Sequence, residues 1–526
     1  MQRYGEMGLS LATPTIGLWV LSVTVLIWAW KVLNWLLLKP KYLEKRLRKE
    51  GFQGNSYRLL NGDIKQMTQM RMEAASKPMN VSSDDIAPRV IPFVFQTVKN
   101  YGKNSFIWMG PNPRVIIVDP EKIKDILTKN NEFPKPRASP LAKLFATGVA
   151  MYDGEKWNKH RKIINPAFNV EKLKLMLSAF YQSSNDMIRK WEALMTPDGS
   201  CELDVWPSLQ NLTCDVISRT AFGSSYEEGA RIFELLRVQA QLLLKVARSV
   251  YIPGWRFLPT ALNKKMKEID KDIRTSLKGI INRREMAMKS GEATKDDLLG
   301  ILLESNHKEI REHGNNKKVG MSIDEVMDEC KLFYFAGQET TSVLLVFTMV
   351  LLARHPEWQA RARDEVLKVF SSQKPDFDGL SHLKVVTMIL YEALRLYPAG
   401  PVLVRSTQKE TKLGNMSLPA GVDIAMPVIL VHHNTELWGN DALEFNPERF
   451  SEGVSKATKG QVSFFPFGWG PRICIGQNFA MSEAKIVLSM ILQRFSFELS
   501  PAYTHAPYTL LVLQPQHGAH IILHKL

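Results

Sequence analysis

The segment Phe467-Gly-Trp-Gly-Pro-Arg-Ile-Cys-Ile-Gly476 sets a cysteine in a glycine-rich loop, ahead of a helical stretch from Asn478 to Phe495. A thiol at a helix N-terminus has its thiolate stabilised by the helix dipole and by free N–H groups. The same N–H groups can hydrogen-bond the sulfur and set how much electron density reaches a bound metal. Gly470 and Gly476 allow the backbone to approach a flat cofactor, and Arg472 offers a fixed cation to an anionic group on it. The plainer reading of a lone cysteine is a small core hydrophobe. A phosphate loop is excluded, because the third glycine is misplaced and no strand–loop–helix unit surrounds the fragment.

Three further groupings carry chemistry-bearing side chains. Ala336-Gly-Gln-Glu-Thr-Thr341 puts a glycine, an acid and a hydroxyl inside an apolar helical run, where Gly337 costs about 1 kcal/mol relative to alanine and so needs a reason. Trp157 and Arg161 are four residues apart, which puts them on one helix face. Glu392 and Arg395 form an i,i+3 pair that any helix surface can carry.

The elements that must position these residues are mostly helical. The apolar run around Ala336 opens at Ser322, which with Glu325 makes a capping box, and closes at His355-Pro356. A helix of that length, apolar nearly all round, belongs in the centre of the body. Helical patterns dominate residues 120–395, broken at Pro134–Pro140, Pro166, Pro207, Pro253–Pro259 and the polar stretch 305–320. Strand patterns fall at Ser105–Met109, Val115–Val118 and Gly414–Val428, with a hairpin expected over Tyr508–Leu523 around Gln514–Gly518. The expected fold class is mainly α with small β-sheets.

With 526 residues, no compositional linker and no repeat, the chain reads as one large body with a short N-terminal appendage. Residues 16–30 are apolar and free of charge, and the apolar character resumes after Lys31 to Leu38, long enough to cross ~30 Å of hydrocarbon. Lys31 can snorkel, and Trp28, Trp30 and Trp35 suit an interface. Lys39, Lys41, Lys45, Arg46, Arg48 and Lys49 follow, against only Arg3 and Glu6 upstream, so the body is expected on the cytosolic side. A cleaved signal is the alternative, opposed by the length and the missing small-residue cleavage site. With the body cytosolic, the sequons at Asn80, Asn211 and Asn415 would escape glycosylation and read as chance. The division expected is 1–38 anchor, 39–90 basic linker and entry region, and 91–526 catalytic domain.

Lys+Arg number 68 against 53 Asp+Glu, a net +15 compatible with an anionic membrane or an acidic protein partner. Nucleic acid is the least favoured partner, for want of zinc-finger spacing or an aromatic-rich basic repeat. Cys201, Cys214, Cys330 and Cys474 are far apart and include no C-x-x-C pair, which excludes a disulfide framework and a four-thiolate zinc or iron–sulfur site built on short spacings.

At Phe467, Gly470, Arg472, Cys474 and Gly476 the chain resembles the haem-binding loop of the cytochromes P450, F-x-x-G-x-R-x-C-x-G. Other family elements follow in order: Glu392-Ala-Leu-Arg395 is similar to E-x-x-R, Pro447-Glu-Arg-Phe450 to P-E-R-F, Trp157…Arg161 to W-x-x-x-R, and Ala336–Thr341 to the oxygen-activation motif. The resemblance covers roughly residues 90–526. It implies haem b held by Cys474 as axial thiolate, with Trp157, Arg161, Arg405 and Arg472 at the propionates. It implies a buried structural network of Glu392, Arg395 and Arg449. Thr340 would hydrogen-bond the distal oxygen, Glu339 would relay protons, and Gly337 would widen the helix for dioxygen and a water.

The activity implied is insertion of one atom of O2 into a C–H bond. No flavin or nicotinamide motif is found, so the resemblance implies electrons from a separate NADPH-cytochrome P450 reductase and a seat in the endoplasmic reticulum membrane. Lys156, Lys159 and Lys162 are candidates for a basic docking surface. Apolar pocket positions are expected at Leu141, Leu144, Phe145, Val149, Phe333, Phe335, Val402–Val404 and Leu510–Leu513, hence a lipophilic substrate. Phe133-Pro-Lys-Pro, Pro166-Ala-Phe and Phe335-Ala-Gly-Gln-Glu-Thr-Thr resemble the plant seventy-two clan, whose members oxidise terpenoids including triterpenes, iridoids and some hormones. The Pro-rich hinge usual after the anchor is reduced here to Gly51–Tyr57. Two rival functions stay open: a haem-thiolate isomerase or dehydratase needing no reductase, and a haem-binding carrier or sensor without turnover.

Overall fold

The computed structural model describes residues 9–223, 226–247, 258–291, 297–314 and 316–526; Arg3, Glu6 and Pro253 lie outside the described residues. At its centre is the helix Ile323–Arg354, 32 residues or about 48 Å of helix. The Ser322 hydroxyl accepts the Glu325 N–H while the Glu325 carboxylate accepts the Ser322 N–H, so both ends of the expected capping box are made. Beyond Thr340 its next ten residues are all buried. Among the described residues two helices are long and apolar enough to cross a membrane, but this one is a core helix, since most of it lies inside the body.

The helix Val205–Phe222 packs most extensively against it, and Lys384–Leu396 and Gln477–Arg494 close around it. These helices share one apolar core that includes Ile217, Leu344, Phe347, Ile389 and Val487.

A five-stranded sheet runs Gln53–Gly54, Asn104–Met109, Asn112–Ile117, Asp423–Met426, Leu403–Ser406 in spatial order. A second apolar cluster covers it, with Phe106, Trp108, Val115 and Ile424 at its middle. The last chain segment departs from the expected hairpin. Pro507–Thr509 pairs with Leu513–Pro515, so the turn falls at 510–512, and His520–Lys525 lies instead between Ser200–Asp204 and Phe495–Leu499. The alternation in Ile521 and Leu523, both buried, fits a central strand better than a hairpin arm.

Near the N-terminus the helix Leu9–Leu33 continues through a π turn, Asn34–Leu38, into Lys39–Lys49. Its apolar window from Gly17 is wholly unburied, which marks it as a candidate membrane anchor. The basic stretch that follows carries structure of its own: Leu43 and Leu47 are buried in the sheet's cluster, and helices cover Ile64–Ala75 and Ala87–Val90.

Candidate functional site

The loop around Cys474 is shaped by two glycines. Gly468 and Gly470 sit at φ +75 and +71, and a side chain on Gly470 would meet the Leu127 carbonyl at 2.6 Å. Close approach to the helix Pro120–Thr128 is therefore possible only without a Cβ. The Cys474 N–H donates to the Phe467 carbonyl at 2.9 Å, closing the loop just before the helix Gln477–Arg494 begins. Cys474 is accessible although protein surrounds it, so it faces an internal space. Burial pushes its thiol up, while the Gly476 N–H and the Arg161 guanidinium favour the thiolate. Cys214 and Cys330 are buried, and Cys201 lies on an outer strand.

Around this space the structure gathers cations. Arg161, on the helix Gly154–Ile164, donates to the Ile473 carbonyl at 3.0 Å. Arg472 lies over the Trp157 ring at 4.7 Å and pairs with Asp153 at 2.5 Å. Arg405, 3% exposed, donates from Nη1 to the Val404 carbonyl, and burial together with Arg472 lowers it to about 10. The Nε of Arg405 and that of Arg472 are buried without a partner. Lys135 joins them: burial, then Arg405 and Arg472, lowers its ammonium to about 7. Four basic side chains, with Asp153 as the acid beside Lys135, Arg405 and Arg472, make a site for a group bearing more than one negative charge. The two propionates of haem b fit that requirement. Lys135 was not singled out in the sequence; the Phe-Pro-Lys-Pro signature holding it was the available signal.

On the central helix, Ala336 is exposed to the interior space and Thr340 half so. The Thr340 hydroxyl donates to the Ala336 carbonyl at 2.7 Å, the ordinary contact of a helical threonine. The Glu339 carboxyl is raised by burial, with Arg237 and Gln338 opposing. It shares a cavity of about 270 Å³ with Phe335, Arg237, Gln210, Gln241 and Leu510–Val512. Gly337 has a packing reason beside any role in making room for dioxygen: a Cβ there would come within 2.7 Å of Ile217 Cδ1. The next carbonyl, of Gln338, accepts the Thr213 hydroxyl from the same neighbouring helix.

The expected apolar positions divide. Phe145 packs edge-on to Phe335 at 4.8 Å, whereas Phe333 is turned to Phe168, and Phe168 borders the position a Gly476 side chain would take. Val402 and Val404 line a separate cavity with Ile64, Met67 and Phe93.

Behind the loop, Glu392 and Arg395 are fully buried and joined by two 2.7 Å bonds. Arg449 donates to Glu392 at 3.1 Å and pairs with Asp441 at 2.8 Å. Arg395 also donates to the carbonyls of His432 and Ala442. His432 was missed in the sequence, where a buried histidine and a solvent-facing one look alike. The three candidate docking lysines are already engaged: Lys156 and Lys159 with Glu325, Lys162 with Glu309. They do not form a free basic face.

The family model described as Cytochrome P450 matches residues 88–522. Cytochrome P450 72A397 of Kalopanax septemlobus is 63% identical, over 95% of this chain and 96% of that one. The 11-oxo-beta-amyrin 30-oxidase of Glycyrrhiza uralensis is 59% identical, over 98% of this chain and 100% of that one. Among solved structures, the retinoic acid bound cyanobacterial CYP120A1 superposes with a TM-score of 0.72 at 23% identity, covering 82% of this chain and 94% of that one, a likeness of fold. The chain is a haem-thiolate monooxygenase of the cytochrome P450 family, within its plant seventy-two clan.

Proposed function

We propose that Cys474 is the axial thiolate of haem b and that the enzyme oxidises a C–H bond of a terpenoid. The observation that carries this is the cluster of Lys135, Arg161, Arg405 and Arg472 beside the accessible Cys474. Two relatives named 11-oxo-beta-amyrin 30-oxidase, at 59% and 57% identity, support an amyrin-like substrate. The apolar linings around Phe335 and around Val402 support a lipophilic one.

When bound, haem supplies the activation of dioxygen, which the thiolate's electron donation favours. The chain's own residues do the rest. The Gly476 N–H and Arg161 favour the sulfur as thiolate, and Lys135, Arg161, Arg405 and Arg472 would hold the propionates. Glu339, raised by burial yet open to a cavity lined by Gln210 and Gln241, takes protons from water and passes them on. Thr340 would receive them at its hydroxyl, which becomes free to donate once it leaves the Ala336 carbonyl. Electrons come from NADPH-cytochrome P450 reductase. The unburied span from Gly17 and the cations that follow it support an endoplasmic reticulum anchor with the body cytosolic.

The test measures NADPH and O2 consumption with added reductase, product formation across a terpenoid panel, and the reduced carbon-monoxide difference spectrum. A red-shifted Soret band, lost in Cys474→Ser, is expected. Thr340→Ala should cut product per NADPH about tenfold or more while peroxide accumulates. Turnover that needs no reductase would favour the isomerase reading, and haem binding without any turnover would favour the carrier.

A further inference from the structure

The apolar span does not end in a loose joint. Leu9–Leu33, the π turn Asn34–Leu38 and Lys39–Lys49 form one helical rod, whose last turns bury Leu43 and Leu47 beside Phe106 and Trp108. Pro40 sits at the junction, itself buried. Lacking an N–H, it cannot donate to the Leu36 carbonyl as a regular helix requires. The turn widens there, and the Lys39 N–H reaches back to the Asn34 carbonyl.

The carbonyl that Pro40 leaves free is taken by the body. The Tyr57 hydroxyl donates to the Leu36 carbonyl at 2.9 Å and accepts the Leu60 N–H at 3.1 Å. Its ring lies on Trp108 with centroids 4.8 Å apart, and burial pushes the phenol up, so it stays protonated. Leu60 is held at φ +63, a left-handed conformation that is costly for a leucine and persists only where the surroundings impose it. An unpaired carbonyl near the hydrocarbon boundary would be costly, which gives the contact its driving force.

We propose that Tyr57 locks the membrane span to the catalytic body. By replacing the helix bond that Pro40 deletes, it fixes the angle between anchor and body and so the face turned to the bilayer. Leu59, 55% exposed and two residues past Tyr57, is held where the span ends, against the lipid surface. The proposal rests on the reading of residues 16–38 as a membrane span.

The test uses the full-length holoenzyme in oriented phosphatidylcholine bilayers, with linear dichroism of the haem absorbance as readout. Tyr57→Phe keeps the ring, so the carbon-monoxide spectrum should be unchanged while the dichroism falls at least twofold. Pro40→Ala returns an N–H to the Leu36 carbonyl, so in that background Tyr57→Phe should lose less than half as much. An unchanged dichroism in Tyr57→Phe, or equal losses in both backgrounds, overturns the proposal. Should Tyr57→Phe not fold, amide exchange of wild-type Leu60 in detergent decides: protection of tenfold or more supports the lock, and free exchange overturns it. Release of the wild-type protein from bilayers by alkaline carbonate would instead sink the membrane-span reading, and Leu60 protection would still judge the contact.

Discussion

Phe465 donates its backbone N–H to Nε2 of His432 at 2.9 Å, so the chain entering the Cys474 loop hangs from a buried imidazole. The His432 carbonyl accepts Arg395, and the loop is thereby tied to the Glu392–Arg395–Arg449 network. The bond from Phe465 requires Nε2 to be the unprotonated nitrogen.

Acid should therefore open the loop. Burial, then His433 and Arg395, holds His432 well below its ordinary 6.5, and burial lowers the neighbouring His433 to about 4. The unfolded imidazoles take up protons near 6.5 and the folded ones do not, so stability is full above 6.5 and falls as pH drops below it. For His433 alone the loss is on the order of 3 kcal/mol by pH 4. Thermal melts and carbon-monoxide spectra between pH 7.5 and 4.5 should show a falling midpoint and loss of the thiolate band. A flat midpoint across that range would contradict the neutral imidazoles.

Breaking the network from its cationic side should cost more than neutralising its acid. Arg395→Ala leaves Glu392 buried with Arg449 as its one remaining cation and strands several carbonyls, a loss of about 3–5 kcal/mol. Glu392→Gln keeps an acceptor and should lose less. Denaturant midpoints of the two variants test the order, and a reversed order would count against the buried-charge account.

How much of this was legible in the sequence depends on distance along the chain. The Cys474 loop, the capping box at Ser322 and the central helix are local patterns, and each stands in the structure where its residues placed it. The turn at 510–512 was misplaced because Gln514–Gly518 offers stronger turn residues, while the strand from His520 is fixed by distant partners at 200–204 and 495–499. Lys135 gains its significance from burial beside Arg405 and Arg472, hundreds of positions away, and His432 from burial between Arg395 and Phe465, each more than thirty positions off. Lys156, Lys159 and Lys162 looked free for the same reason, since Glu325 and Glu309 meet them only in three dimensions.

Gly337→Ala should expose the packing role of that glycine. Its Cβ would press Ile217 Cδ1 at 2.7 Å and Cγ1 at 3.0 Å. Overpacking costs about 1–3 kcal/mol, offset by roughly 1 kcal/mol of helix propensity. The main effect expected is a shift of the Ala336–Thr340 turn, read as a several-fold rise in peroxide per NADPH. Adding Ile217→Val removes the clashing methyl and should recover at least half the coupling. No recovery would assign Gly337 to the reacting side alone.

Lys135 offers a test of cofactor retention that does not depend on turnover. Burial and the neighbouring Arg405 and Arg472, opposed only in part by Asp153, lower the ammonium to about 7, so above that pH the folded site holds it neutral. A propionate returns the charge to favour, and binding must then take up a proton at any pH between about 7 and the ordinary lysine value of 10.5. Haem affinity should accordingly fall as pH rises through that window, by up to about tenfold per unit, and level off below 7. Lys135→Met removes both the charge and the proton uptake. Its haem affinity should be lower than the wild-type's at pH 7 and should no longer change between pH 7 and 9. The rate of haem uptake by the apoprotein and the rate of haem transfer to apomyoglobin together give both affinities. A wild-type affinity that is flat over the same interval would place the propionates away from Lys135 and leave Arg161, Arg405 and Arg472 to hold them.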